Sequence, residues 1–184
     1  QPRAALAAIR ADGIRVGATY SYTPTEFGEN TPEPGVARYC GAAAGIQAGF
    51  CPGITFRGQL LPDVGGQSLP RAPETTASLY GSFEAPLAGD WSIYGRADLS
   101  YVSKAYTLTW NLGEIPSRTL TNARLGLRRG PLDVALWGRN LLDRKYVSAV
   151  IFQPSFFSGQ FLPNVSQGER ATYGLTATYS FGAR

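Results

Sequence analysis

The sequence predicts an all-β chain that forms part of the wall of an antiparallel transmembrane β-barrel. Three observations point there. Apolar and polar residues alternate with period two over long segments, aromatic residues gather at segment ends, and short connections alternate with long ones. Alternation alone also fits a soluble antiparallel sheet with one wet face. The segments, however, outrun the about 5–6 residues usual for a soluble strand and reach the about 9–11 needed to cross hydrocarbon at a tilt.

The elements follow in order. Arg3–Arg10 reads as a strand or a helical turn, because Ala and Leu also favour helix. From Ile14, one face carries Val16, Ala18, Tyr20 and Tyr22 against Arg15, Gly17, Thr19 and Ser21. Ala77, Leu79, Gly81, Phe83 and Ala85 oppose Ser78, Tyr80, Ser82 and Glu84. Trp91, Ile93, Gly95, Ala97, Leu99 and Tyr101 oppose Ser92, Tyr94, Arg96, Asp98 and Ser100. Ala123, Leu125 and Leu127 oppose Asn122, Arg124 and Arg128, and Leu132, Val134 and Leu136 oppose Asp133, Ala135 and Arg139. The final segment sets Tyr173, Leu175, Ala177, Tyr179 and Phe181 against Thr172, Gly174, Thr176, Thr178 and Ser180. Proline lacks a ladder N–H, and Pro32, Pro70, Pro116, Pro131 and Pro163 all fall between or at the edges of these segments. Tight turns are expected at 86–90 and 129–131, and longer connections at about 28–72, 107–117 and 151–168. Because apolar residues resume at Val147, Val150 and Ile151, Asn140–Asp143 is expected as a kink or bulge inside one long strand rather than a turn that ends it. Six or seven strands leave two bare sheet edges, which lipid does not tolerate, so the sheet is expected to be part of a larger barrel and incomplete in this chain.

Composition removes other classes. With no His and only two Cys among 184 residues, a His-based triad is impossible within the chain and a zinc site of His and Cys ligands nearly so. No nucleophile stands beside a base, so the chain reads as no enzyme, and no cofactor is expected. A net charge of +4 spread along the chain does not suggest nucleic acid. No apolar run is long enough for a membrane helix, and Ala4–Ile9 is too short for a signal-peptide core. With no Met anywhere, Gln1 reads as a processed or interior position.

The run Ala135–Tyr146 contains Asn140-Leu141-Leu142-Asp143-Arg144-Lys145-Tyr146, which resembles the Asn-Leu-x-Asp/Asn-x-x-Tyr signature near the last strands of TonB-dependent outer-membrane receptors. Gly168–Phe181, with Tyr173, Tyr179 and Phe181, is similar to that family's last strand, and Ser68–Glu74 to its Leu-Pro-x-Ala-Pro lead-in. Order and spacing extend the resemblance over about 14–181, the C-terminal part of such a receptor, with no signal peptide, TonB box or plug visible. The resemblance implies a barrel of roughly 22 strands with a plugged lumen. It also implies TonB-energised uptake, across the bacterial outer membrane, of a scarce small ligand such as a ferric siderophore, cobalamin or an oligosaccharide. The implied partners are outer-membrane lipid and lipopolysaccharide, the rest of the receptor with its plug, through it the TonB complex, and the ligand. A self-contained eight-stranded outer-membrane barrel with a structural or adhesive role is the alternative, and a secreted ligand-binding sandwich a third.

Within this frame the candidate residues divide into three sets. Cys40 and Cys51, in the longest loop and an oxidising compartment, are expected to form a disulfide. Tyr39, Phe56, Arg57, Trp110, Phe156 and Phe157 are loop residues that could face a ligand, by ring stacking or by attraction of an anionic chelate. Glu84, Arg96, Asp98, Arg124, Arg128 and Arg139 share the polar face; in lipid each would cost about 2–4 kcal/mol near the midplane, so they are expected to face the lumen, where they could dock a plug.

Overall fold

The computed structural model describes residues 3–34, 52–154 and 161–182. Its strands are β1 (Arg3–Ala11), β2 (Ile14–Tyr22), β3 (Gly53–Phe56), β4 (Gln59–Pro62), β5 (Thr75–Pro86), β6 (Ser92–Val102), β7 (Ala105–Leu108), β8 (Leu112–Ile115), β9 (Arg118–Arg129), β10 (Leu132–Arg139), β11 (Val147–Pro154), β12 (Phe161–Gln167) and β13 (Thr172–Tyr179). Seven of them form one antiparallel meander in the order β1-β2-β5-β6-β9-β10-β13, and β3–β4, β7–β8 and β11–β12 are separate hairpins inside the three long connections. The chain is thus all-β and antiparallel, an open sheet consistent with an incomplete barrel. Arg3–Ala11 is a strand, so the helical option for that segment is excluded.

All the short turns lie at one end of the sheet. Asp12-Gly13, the 87–91 turn and Gly130-Pro131 each contain a glycine in the left-handed region: Gly13 (φ 72°), Gly89 (φ 67°) and Gly130 (φ 50°). At Gly13 a side chain is also barred by space, since a Cβ would come within 2.5 Å of the Glu84 carbonyl oxygen. The other end carries the long connections and their hairpins.

The expected kink at Asn140–Asp143 is a turn instead. β10 ends at Arg139, the Leu141 N–H makes one more bond to the Thr121 carbonyl (2.8 Å), and the chain then leaves the sheet. Asn140 (φ 46°) and Asp143 (φ 47°) are left-handed, a conformation these two residue types tolerate. The apolar residues that resume at Val147 belong to β11, which pairs only with β12 and buries Val150.

Register places every alternating set on one face. One row runs Ile14–Phe83–Gly95–Leu125–Leu136–Leu175, and the row beside it Val16–Gly81–Ala97–Ala123–Gly138–Tyr173. Nothing in the described structure covers this face. Leu175 is 66% exposed, Leu125 50%, Leu79 48% and Val16 39%. The buried apolar side chains among the described residues are few, with Val64, Pro62, Ala105 and Val150 in the loop layer and Ala135 in the wall. Tyr20, Tyr22, Tyr101 and Tyr173 mark the long-loop end of the apolar face, and Trp91 and Tyr179 the short-turn end. Ten residue steps from Trp91 to Tyr101, at about 3.3 Å per step and a tilt of about 40°, span about 25 Å, the height of the apolar band on membrane barrels.

Candidate functional site

The opposite face is polar because the alternate positions are Ser, Thr, Asn and charged residues. Glu84, Arg96, Asp98, Arg124, Arg128 and Arg139 all lie on it, Glu84 and Arg128 near the short-turn end, Arg96, Asp98 and Arg124 at mid-height, and Arg139 where β10 ends toward the long connections. Three aromatic rings lie flat on this wall, each over the glycine directly opposite on the neighbouring strand: Tyr80 over Gly17, Tyr94 over Gly126 and Trp137 over Gly174. A Cβ at Gly126 would come within 2.3 Å of the Tyr94 ring, so glycine is what lets the ring rest there. Guanidinium groups then lie over the rings. Arg96 sits 4.5 Å from the Tyr80 centroid, Arg128 5.0 Å from Tyr94 and Arg139 5.5 Å from Trp137.

Carboxylates hold these arginines in place. Arg96 meets Asp98 through both Nε and Nη2, at 3.0 and 2.6 Å. Arg128 bridges Glu84 (3.3 Å) and Asp133 (3.2 Å), and Arg124 reaches Asp133 at 3.7 Å. The Tyr94 hydroxyl donates to the same Asp133 carboxylate at 2.7 Å. Asp133 is therefore the hub of the cluster. Its alternation with Leu132 and Val134 marked it as polar, but only the cross-strand register brings it to Arg124 and Arg128. Arg96 stands directly opposite Arg124, a like-charge pairing that opposes sheet formation unless anions intervene. Arg139 enters none of the ion pairs among the described residues. Exposed pairs of this kind contribute about 0.2–1 kcal/mol each, so the cluster offers a charged surface more than it stabilises the fold.

The motif at the end of β10 closes the third long connection. Asn140 is 4% exposed. Its Nδ2 donates to the carbonyls of Arg144 and Glu169 (2.9 Å each), its Oδ1 accepts from the Arg144 N–H (3.0 Å), and its own N–H reaches Asn122 Oδ1 (3.0 Å). One amide thus ties the start of the connection to its end. Three residues on, Asp143 accepts from Arg170 Nε (2.7 Å) and from the Ala171 N–H (3.0 Å), and a second Arg170 nitrogen pairs with its other oxygen. The Tyr146 ring packs on Gly168, and the Gly168 N–H donates to the Tyr146 carbonyl at 2.8 Å. Leu141 and Tyr173 both pack over Gly138. The spacing Asn-Leu-x-Asp-x-x-Tyr is therefore a clasp, with each named side chain holding the strand that returns.

The Arg170 guanidinium, then the Ala171 N–H, hold the Asp143 carboxyl well below the usual carboxylate range. A lowered folded-state value means the ionised clasp persists above the ordinary value and fails only as pH falls far beneath it. At about pH 3, below the ordinary Asp value of about 3.9, wild-type protein is expected to resist pepsin within 140–150, whereas Asp143→Asn is expected to be cut there. Equal cleavage of the two would show that the carboxylate plays no part.

The long connections form one layer. The Arg71 N–H donates to the Tyr106 carbonyl (2.7 Å), Asn111 Oδ1 accepts from the Ser68 N–H (3.0 Å), and a Cβ at Gly113 would meet Phe152 at 2.6 Å and Val150 at 3.4 Å. Phe56 is 44% exposed with the Arg57 guanidinium 5.3 Å from its ring centroid, at the tip of the β3–β4 hairpin. Trp110 lies on the β7–β8 hairpin in a left-handed conformation (φ 69°), which a bulky residue adopts only under local constraint. These residues occupy separate hairpins. Tyr39, Phe156, Phe157, Cys40 and Cys51 lie outside the described residues.

Comparison with known proteins follows from this geometry. The crystal structure of BauA, the ferric preacinetobactin receptor from Acinetobacter baumannii, is similar at 12% sequence identity with a TM-score of 0.46, over 97% of this chain and 29% of that one. The chain therefore spans less than a third of that receptor's length. A family model described as TonB dependent receptor-like, beta-barrel matches residues 6–141. The match runs from within β1 through β10 and stops at Asn140-Leu141, so Asp143, Tyr146 and β13 lie beyond it. Since it spans well over half the sequence, this chain belongs to the TonB-dependent receptor β-barrel family.

Proposed function

We propose that residues 1–184 are a C-terminal stretch of barrel wall and outer loops from an outer-membrane receptor that takes up a scarce small ligand, such as a ferric siderophore, with energy delivered by the TonB complex. The observation that carries this reading is the uncovered apolar face, bounded at both ends by aromatic residues, behind a face of arginines and carboxylates. Strand direction supports an incomplete barrel. β1 and β13 both run from the long-loop end to the short-turn end, so joining them would create a parallel seam. Antiparallel closure needs an odd number of further strands. One would make the small eight-stranded alternative, and a barrel of roughly 22 strands leaves an odd remainder as well.

In this reading the short turns face the periplasm and the hairpins face the medium. The plug of the whole receptor rests against Glu84, Arg96, Asp98, Arg124, Arg128 and Arg139. Tyr39, Phe56, Arg57, Trp110, Phe156 and Phe157 are the proposed ligand-facing positions, and Cys40 with Cys51 the proposed loop staple. Lipopolysaccharide surrounds the long-loop rim.

The test is made on the polypeptide as its gene encodes it, in living cells. Single cysteines at Phe56 and Trp110 are expected to react with a membrane-impermeant maleimide in intact cells, and one at Gly89 only after the outer membrane is opened. The reverse pattern would reject the orientation. Growth on a supplied ferric siderophore that needs both this gene and TonB would support uptake, and TonB-independent growth would favour the adhesive or structural alternative.

A further inference from the structure

The apolar face carries one charge among its described side chains in the seven-stranded sheet, and it sits at a border. Along β9 the outward positions run Leu125, Leu127, Arg129, so Arg129 is the last residue before the Gly130-Pro131 turn. Register sets Tyr179, Leu132 and Arg129 in one row, and Arg128 opposite Ser92 brings Arg129 level with Trp91. The Arg129 guanidinium lies 5.6 Å from the Trp91 ring centroid. None of the ion pairs among the described residues involves it, and the carboxylates of β5, β6 and β10 all point to the other face.

A guanidinium at this height has apolar residues on one side and the polar turn on the other. Stacking on indole leaves its N–H fork free, and that fork matches the oxygens of a phosphate. Trp and Tyr prefer the headgroup level of a bilayer, which is the level of a phospholipid phosphate. Among the described residues no strand carboxylate lies on this face, and Asp90 sits in the turn beyond Trp91, so a headgroup of phosphate and hydroxyls fits this face better than one bearing an amine.

We infer that Arg129, framed by Trp91, Leu132 and Tyr179, is a binding site for the phosphate of an anionic phospholipid of the phosphatidylglycerol class, in the leaflet at the short-turn end. This inference rests on the membrane-spanning reading above. It adds a lipid preference that a barrel of this kind need not have.

The test uses the whole receptor polypeptide in nanodiscs of equal phosphatidylglycerol and phosphatidylcholine, with retained lipids counted by native mass spectrometry. Wild type is expected to retain phosphatidylglycerol several-fold over phosphatidylcholine. Arg129→Gln is expected to bring the ratio near one, and Arg139→Gln, on the opposite face, to leave it unchanged. An unchanged ratio in Arg129→Gln, or an equal fall in Arg139→Gln, overturns the site. Should Arg129→Gln fail to assemble, Trp91→Leu is expected to lower the ratio while keeping the charge, and no change there overturns the site equally. Quenching of Trp91 fluorescence by brominated acyl chains, taken as the difference from Trp91→Phe, separates the two levels. No quenching defeats the membrane reading itself, whereas quenching with an unchanged lipid ratio defeats only the Arg129 site.

Discussion

Leu125→Arg is expected to destabilise the protein in a bilayer by about 2–4 kcal/mol, the cost of a guanidinium near the midplane of a membrane barrel. Leu125 occupies the row between Gly95 and Leu136, roughly midway between Trp91 and Tyr101, so the new charge has no interface within easy reach of its side chain. Its 50% exposure in the described structure is what separates the readings. If water covered that face, the same substitution would change stability by no more than about 0.5 kcal/mol, as exposed surface changes usually do. Urea unfolding of the whole polypeptide in lipid vesicles distinguishes these outcomes. A shift under about 0.5 kcal/mol would remove the lipid from the account of this face.

Asn140→Ala is expected to cost about as much, for a different reason. The side chain satisfies the carbonyls of Arg144 and Glu169 and the N–H of Arg144 at a position only 4% exposed. Three bonds at about 0.5–1.5 kcal/mol each, with stranded buried groups left behind, give about 2–4 kcal/mol. The loss is local to the third connection, so it is expected as a rise of tenfold or more in trypsin cleavage after Arg144 and Lys145, at about 1.4 kcal/mol per decade of local opening. Asn140→Asp keeps the acceptor but loses both donors, and is expected to fall between. Cleavage at the wild-type rate in Asn140→Ala would mean that Asp143, Arg170 and Tyr146 suffice to hold the connection.

The wall was legible in the sequence because its chemistry is strictly two-sided. In β13, Tyr173, Leu175, Ala177 and Tyr179 alternate with Thr and Gly without a lapse, and register confirms that they share a face. β1 was ambiguous because Ala4, Ala5, Ala7 and Ala8 are too small to mark either face. At Asn140 the sequence suggests a kink rather than a turn, because apolar residues resume at Val147, Val150 and Ile151. Those residues belong to a separate hairpin that buries Val150. Asp133 was legible as polar but not as a hub, since its three partners come from positions 94, 124 and 128, and only pairing across strands brings them together. The hairpins β3–β4, β7–β8 and β11–β12 are not legible in the sequence, because their strands are short and do not keep a two-sided alternation.

One property of the meander reaches beyond this chain. Each strand in the wall is bonded to the strands before and after it in the wall's own order, and nothing crosses over. A hairpin can therefore be duplicated or deleted without rethreading any neighbour, and each such event changes the circumference by two strands, preserving an even total. A barrel built on this plan can widen or narrow, and exchange the hairpins of its long connections, while the ring still closes.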